Sequence, residues 1–283
     1  MIPTALSLPP LDYTSLPAFL AGAARWVEAA LPRYLPDGEP KAFLYDLARD
    51  YPGRGGKRFR PALLLLSTAL AGGDPRAALP SAVALELFQN FALVHDDIED
   101  GSWMRRGRPA LHRQAGVPLA LNAGDLLFGL VFEALQDNEA ALGAARALAV
   151  QREFSRVFRR TFEGQALDIG WIQANHFPTR AEFETMLSLK TGWYSGRGPC
   201  RIGALIGGAP VALASRCTKR WAIVWGRWAA HPLTIAEAAS HAPARDPSDM
   251  LVVALVQATS PFQQVEHDDD DQSHAYRHCL RIH

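Results

Sequence analysis

Cysteine is scarce. Cys200, Cys217 and Cys279 are the only three in 283 residues, and no two of them share a CxxC spacing. That excludes a disulfide scaffold and a cysteine zinc cluster, and it fits a reducing, cytoplasmic setting. Net charge is missing too: Lys+Arg and Asp+Glu both number 29. A nucleic-acid partner held by counterion release would need a positive excess, so none is expected; a local basic pocket is still allowed. No basic segment followed by an apolar core opens the chain. The longest apolar-rich run, 61–71, is too short to span a bilayer, so no membrane span is expected. Strand signals are few, and no repeat or low-complexity linker precedes residue 210.

What is present is helical spacing. Leu16, Phe19, Leu20, Ala23, Trp26, Val27, Ala30 and Leu31 recur at i, i+3, i+4 and i+7, which marks an amphipathic helix closed by Pro32 and Pro36. A glycine- and cation-rich loop, DYPGRGGKRFRP, then leads to Pro61 as the expected first residue of a helix that GGDP (72–75) ends. The stretch 81–100 has no Gly or Pro, and Ser81 is its expected N-cap. Its apolar positions are nearly continuous, so burial on most sides is expected. Further helices are read over 118–135, 139–173 (broken or bent near Gly164), 180–189 and 194–206. The fold class is therefore all-α: one bundle of long helices over 1–208, followed by an atypical segment over 209–283. In that segment tryptophans crowd into 221–228 and clean amphipathic spacing stops.

The chemistry concentrates in VHDDIEDGSWMRRG (94–107). Asp96 and Asp100 are four apart and share one helix face; Asp97 is turned about 100° away, and Glu99 lies near Asp96. Negative charge at a helix C-terminus is opposed by the helix dipole as well as by its acidic neighbours. A hard divalent ion would offset it, and Mg²⁺ suits one or two carboxylates plus waters and phosphate oxygens. Arg105 and Arg106 supply guanidinium forks that match phosphate. A chain that turns back at Gly101 could bring them to the same mouth. Acids alone read as a solvated helix end; acids, arginines and an apolar helix together read as a diphosphate site. Lys57, Arg58 and Arg60 form a second basic element before a helix start, readable as a surface loop or as a cation-only anion site.

Taken in order, GGKRFRP, LVHDDIEDGSWMRRGRPALH, NAGDLL, EGQALDI and KTGWYSGRGPCRIGA resemble the trans-isoprenyl diphosphate synthase family, that of farnesyl and geranylgeranyl diphosphate synthases, over about residues 40 to 208. The resemblance implies an isoprenoid synthase fold, a homodimer, and Mg²⁺-dependent condensation of an allylic diphosphate with isopentenyl diphosphate. It implies that Asp96 and Asp100 ligate the metal with Asp97 in support, and that Arg105 grips the allylic diphosphate. Lys57, Arg60, Arg106 and Gln89 would hold isopentenyl diphosphate. Lys190 and Thr191 would meet the allylic diphosphate and the developing cation. Gln165 and Asp168 would face the same cavity, although helix packing explains that pair equally well. Phe91 and Ala92, about one turn before Asp96, would set product length, and one aromatic there implies a C20 product with C15 as the alternative. Core packing is the simpler reading of Phe91.

The resemblance also has a gap. The family's second aspartate-rich string, FQxxDDxxD, has no counterpart roughly forty residues after Lys190. Asp268 to Asp271 follow Phe262-Gln263 at the wrong spacing and read as a solvated acidic tail. A frame change in the gene would generate the composition seen after residue 210. Two rival expectations follow: a family member that binds diphosphates with impaired turnover, and a class I terpene cyclase, whose own C-terminal metal motif is not found.

Overall fold

A computed structural model describes residues 6–35 and 37–209. The readings made for the later residues, including Asp268 to Asp271 and the missing second aspartate string, lie outside the described residues.

Helix α1 (Leu16–Ala30) starts where Ser15 accepts a hydrogen bond from the Ala18 amide and Pro17 occupies the first turn. It buries Phe19, Ala23, Trp26, Val27 and Ala30, the stripe its spacing predicts, and passes into a short 3₁₀ turn through Pro32. Helix α2 (Asp46–Gly53) follows a π-turn, and α3 (Phe59–Leu70) starts two residues before Pro61. The earlier start comes from Arg58, whose left-handed backbone (φ 47°) and buried side chain let the helix begin immediately after it.

Helix α4 (Leu79–Glu99) forms the centre of the bundle, packed on α1, on α3 and on α6 (Val117–Gln136). Ser81 is not its N-cap. The helix begins earlier, with Pro80 in its first turn, and the buried Ser81 hydroxyl donates to Asn138 Oδ1 at 3.0 Å. Every residue from Ser81 through Phe91 is buried, as the continuous apolar run predicted.

After α4 the chain reverses through a minimal hairpin, β1 (Met104–Arg105) against β2 (Arg108–Pro109), followed by α5 (Leu111–Ala115). The remaining elements are α7 (Asn138–Leu142), α8 (Ala144–Ala174), α9 (Arg180–Leu187) and α10 (Gly198–Ile206). The break expected near Gly164 lies instead at Gly143, whose φ of 77° suits glycine. Helix α8 continues unbroken past Gly164. Glycine is needed there because a Cβ would sit 2.1 Å from the Lys190 amide nitrogen. Between α9 and α10 the chain winds as a π-helix, Ser188–Arg197; the widened turns explain why residue spacing suggested two α-helices with an interruption.

Two stretches correct the expectation about length and apolarity. Pro75–Glu99 and Val117–Leu142 both reach the length and composition of a membrane span, because helices tolerate the polar interruptions that end an uninterrupted run. The first has 78% of its most apolar window buried in the bundle, as a core helix would; the second has 39%.

Candidate active site

The C-terminal end of α4 divides its acids between two faces, as the helical geometry predicted. On one face Gln165 Nε2 of α8 donates to Asp96 Oδ1 at 3.1 Å and to Glu99 Oε2 at 2.6 Å. Lys190 Nζ, from the π-helix, lies 2.6 Å from Asp168 Oδ2 and 3.3 Å from Asp96 Oδ1. One ammonium is thus held between carboxylates of two helices, and the close approach at Gly164 lets its backbone come near enough. Asp100 sits at the exposed rim of this cleft. Its carboxyl is pushed up to about 6 by partial desolvation and then by the charge of Asp96, with Asp168 and Glu99 adding to the effect and Lys190 opposing it. Thr191, beside Lys190, is half-buried.

Asp97 turns the other way and is almost fully buried. It accepts from Arg105 through Nε at 3.0 Å and through Nη2, and from the Tyr51 hydroxyl at 2.5 Å. Burial works against the Arg105 charge, but Asp97 more than compensates, and Arg105 holds its proton more tightly than an ordinary arginine. The two arginines separate at the hairpin turn, where Arg106 (φ 51°) and Gly107 (φ 71°) both adopt the left-handed backbone of a two-residue turn. Arg105 reaches back to Asp97. Arg106 donates to Tyr51 O at 3.2 Å and to Gly55 O, and so lies on the glycine loop that carries Lys57.

The second basic element is divided as well. Lys57 is exposed. Arg58 is buried, donating to Glu86 Oε1 at 2.5 Å and to Pro52 O at 2.7 Å, which makes it an anchor for the loop. Arg60 donates to Ser195 Oγ at 2.9 Å and to the Tyr194 hydroxyl at 3.0 Å, with its guanidinium over the Tyr194 ring. Gln89 is buried, and its Oε1 has no hydrogen-bond partner. Phe91 packs in an aromatic cluster with Phe128 (ring centroids 4.8 Å apart), Phe88 (5.7 Å) and Phe162 (5.9 Å), and Ala92 beside it is half-buried.

A family model described as polyprenyl synthetase matches residues 41–222. The chain belongs to the polyprenyl synthetase family. It is 39% identical over 185 residues to a geranylgeranyl diphosphate synthase of Methanosarcina mazei, covering 65% of this chain and 55% of that one. It is 42% identical over 154 residues to a short chain isoprenyl diphosphate synthase of Methanothermobacter thermautotrophicus, covering 54% and 46%. Among solved structures, a geranylgeranyl pyrophosphate synthetase from Pyrococcus horikoshii superposes with a TM-score of 0.70 at 34% identity, covering 75% of this chain and 64% of that one. The fold is therefore the all-α isoprenoid synthase fold. The chain spans about half the length of the curated relatives it matches.

The donor set of this member of the polyprenyl synthetase family suits magnesium. Asp96, Asp100, Glu99 and Asp168 offer only oxygen, and Lys190 already marks a position where a positive charge is favoured. Among the described residues no three acids converge tightly enough to enclose an ion alone. Mg²⁺ does not need them to, since water and phosphate oxygens complete its shell. Two functional neighbours escaped the sequence reading: Tyr51 and Arg54, both in DYPGRGGKRFRP. The only signal was that a tyrosine and an extra arginine precede the basic loop.

Proposed function

We propose that this chain is a prenyltransferase that condenses an allylic diphosphate with isopentenyl diphosphate to give a longer trans-prenyl diphosphate. The observation that carries the reading is the convergence of Asp96 and Asp168 on the Lys190 ammonium, beside a hairpin that delivers two arginines to separate places. Relatives named as geranylgeranyl diphosphate synthases from Methanosarcina mazei and Geoglobus acetivorans support a C20 product.

Asp96 and Asp100 would hold Mg²⁺, which when bound supplies positive charge to a diphosphate leaving group. Lys190, Thr191 and Arg105 orient the allylic diphosphate, with Asp97 fixing the Arg105 fork. Gln165 and Asp168 hold Asp96 and Lys190 in register. Lys57, Arg106, Gln89 and the remaining edge of Arg60 grip the diphosphate of the second substrate. These cations stabilise negative charge where it grows as the allylic C–O bond breaks. The isopentenyl double bond then forms the new C–C bond, and a proton is lost to the departed diphosphate, so no protein base is required. Phe88, Phe91, Phe128 and Phe162 provide apolar surroundings that keep water from the cation, and Phe91 limits chain length. A second copy of the chain would cover the apolar face of α6, where Val117, Leu121 and Phe132 are exposed. The cysteine-poor composition suits the cytoplasm.

The test is incubation with labelled isopentenyl diphosphate, several allylic diphosphates and Mg²⁺, followed by product chromatography. Elongated linear products that vanish in an Asp96→Asn, Asp100→Asn double variant support the reading. Cyclic hydrocarbons would favour a terpene cyclase. Mg²⁺-dependent binding without turnover would favour a family member that holds diphosphates and elongates them poorly, the reading motivated by the missing second aspartate string.

A further inference from the structure

The β1–β2 hairpin is too small to stand alone. Each strand has two residues, and isolated hairpins far longer than this are marginal in water. It nevertheless has to hold Arg105 on Asp97 and Arg106 on the glycine loop, with Arg106 in a backbone conformation unfavourable for a side-chain-bearing residue. Something outside the hairpin must fix it.

Arg54, the residue that ends α2, provides the attachment. Its Nη1 donates to the Arg105 carbonyl at 2.7 Å and to the Arg108 carbonyl at 3.4 Å, and its Nη2 donates to the Pro109 carbonyl at 2.9 Å. Its Nε is held by Asp50 Oδ1 at 2.5 Å, and the other oxygen of Asp50 lies 3.0 Å from Arg108 Nη2. The guanidinium lies over the ring of Tyr51, 4.6 Å from its centroid, and only 1% of the side chain is exposed. Tyr51 completes the attachment: its hydroxyl accepts from the Leu111 amide at 2.9 Å while donating to Asp97. One side of Arg54 therefore satisfies three carbonyls of the hairpin, and its ring stack and ion pair tie that hairpin to α2.

We propose that Arg54 is a positioning residue for diphosphate binding: it touches no substrate, and its planar fork sets where Arg105 and Arg106 stand. The proposal rests on the prenyl-transfer reading for its functional consequence, and on the hydrogen bonds alone for its structural one. A lysine would keep the charge but could not span three carbonyls and a carboxylate at once. The fork, not the charge, is the requirement.

The experiment compares the full chain with Arg54→Lys and Arg54→Met. Two readouts are taken: the rate of tryptic cleavage after Arg105 and Arg106, and the KM for isopentenyl diphosphate with geranyl diphosphate as co-substrate. Loss of three hydrogen bonds should accelerate cleavage by about tenfold or more in both variants, with no change after the exposed Arg180. KM should rise about tenfold, and kcat should fall less. Unchanged cleavage in the hairpin would overturn the proposal, as would wild-type behaviour of Arg54→Lys. Equal acceleration after Arg180 would overturn it as well, because the residue would then only support the global fold. Faster hairpin cleavage with an unchanged KM would overturn the positioning role. Faster hairpin cleavage with no turnover by the wild type would support the attachment and refute the prenyl-transfer reading instead.

Discussion

Replacing Gly164 with alanine should disable the site at a modest cost in stability. The added Cβ would lie 2.1 Å from Lys190 N, 2.6 Å from Lys190 Cα and 2.7 Å from Leu189 C. Non-bonded heavy atoms settle at about 3.5–4.0 Å, so the π-helix must retreat by more than an ångström; backbone atoms cannot rotate out of the way. Lys190 Nζ lies 2.6 Å from Asp168 Oδ2 and 3.3 Å from Asp96 Oδ1, and such a retreat shifts the backbone from which it reaches them. Two stability effects oppose each other. Overpacking costs about 1–3 kcal/mol, and removing a glycine from a helix interior returns about 1 kcal/mol. The net loss should be about 0–2 kcal/mol in urea unfolding. Turnover is the sensitive measure, because a misplacement of about 1 Å can lower a rate roughly 100-fold. Steady-state kinetics with isopentenyl and geranyl diphosphates should therefore show kcat reduced by about tenfold to 100-fold. A variant that is about 1 kcal/mol more stable than wild type, with kcat unaltered, would show that α8 and the π-helix do not touch here.

Other perturbations test other parts of the molecule. Arg201→Met should cost about 3 kcal/mol in urea unfolding, because it takes two hydrogen bonds from the buried Glu153 and leaves Arg156 as its neighbouring cation; a loss well under 1 kcal/mol would refute the pair's importance. Asp100 titrates at about 6 when folded, against 3.8 ordinarily, so the native state holds the extra proton in between. Stability from this group therefore falls as pH rises through that window, and the penalty is complete above it. Carboxyl NMR of the metal-free protein should show the titration of Asp100 moving down in Asp96→Asn, and an unmoved titration would exclude Asp96 as a cause. Phe91→Ala should destabilise by about 3–5 kcal/mol through the cavity it leaves among the aromatic rings, and should lengthen the prenyl product seen by chromatography. An unchanged product length would remove Phe91 from the role of chain-length limit.

The elements set by local rules were legible in the sequence. The stripe of α1 and the burial of α4 over 81–91 both follow from spacing within one helix. So does the division of Asp96 and Asp97 between two adjacent faces, since a rotation of about 100° per residue needs no tertiary information. The misjudged features depend on partners distant in sequence. Ser81 resembled a cap, but it donates to Asn138, fifty-seven positions away. Gly164 resembled a helix breaker, but it is small so that Lys190 can come close. Arg58 looked like a surface cation beside Lys57, yet Glu86 draws it into the core. The π-helix was read as an interruption between two α-helices, 180–189 and 194–206, because a slightly wider turn shifts the apolar positions without removing them. Arg54 went unnoticed because its work is done on backbone carbonyls, which leave no pattern in side-chain identity.

The sealed middle of α4 bears on how this family can diversify. Residues 81–91 present no side to solvent, so almost any change of volume there is felt by several neighbouring helices at once. Adaptation to a longer or shorter lipid would be expected to spare residues 81–90 and to act where that stretch ends, at Phe91 and at the partly exposed Phe128 and Phe162 that pack on it, where a new side chain meets fewer rigid surroundings. The sealed part of the central helix then behaves as the inherited frame, and the ring of aromatic side chains at its end as the part that selection is free to resize.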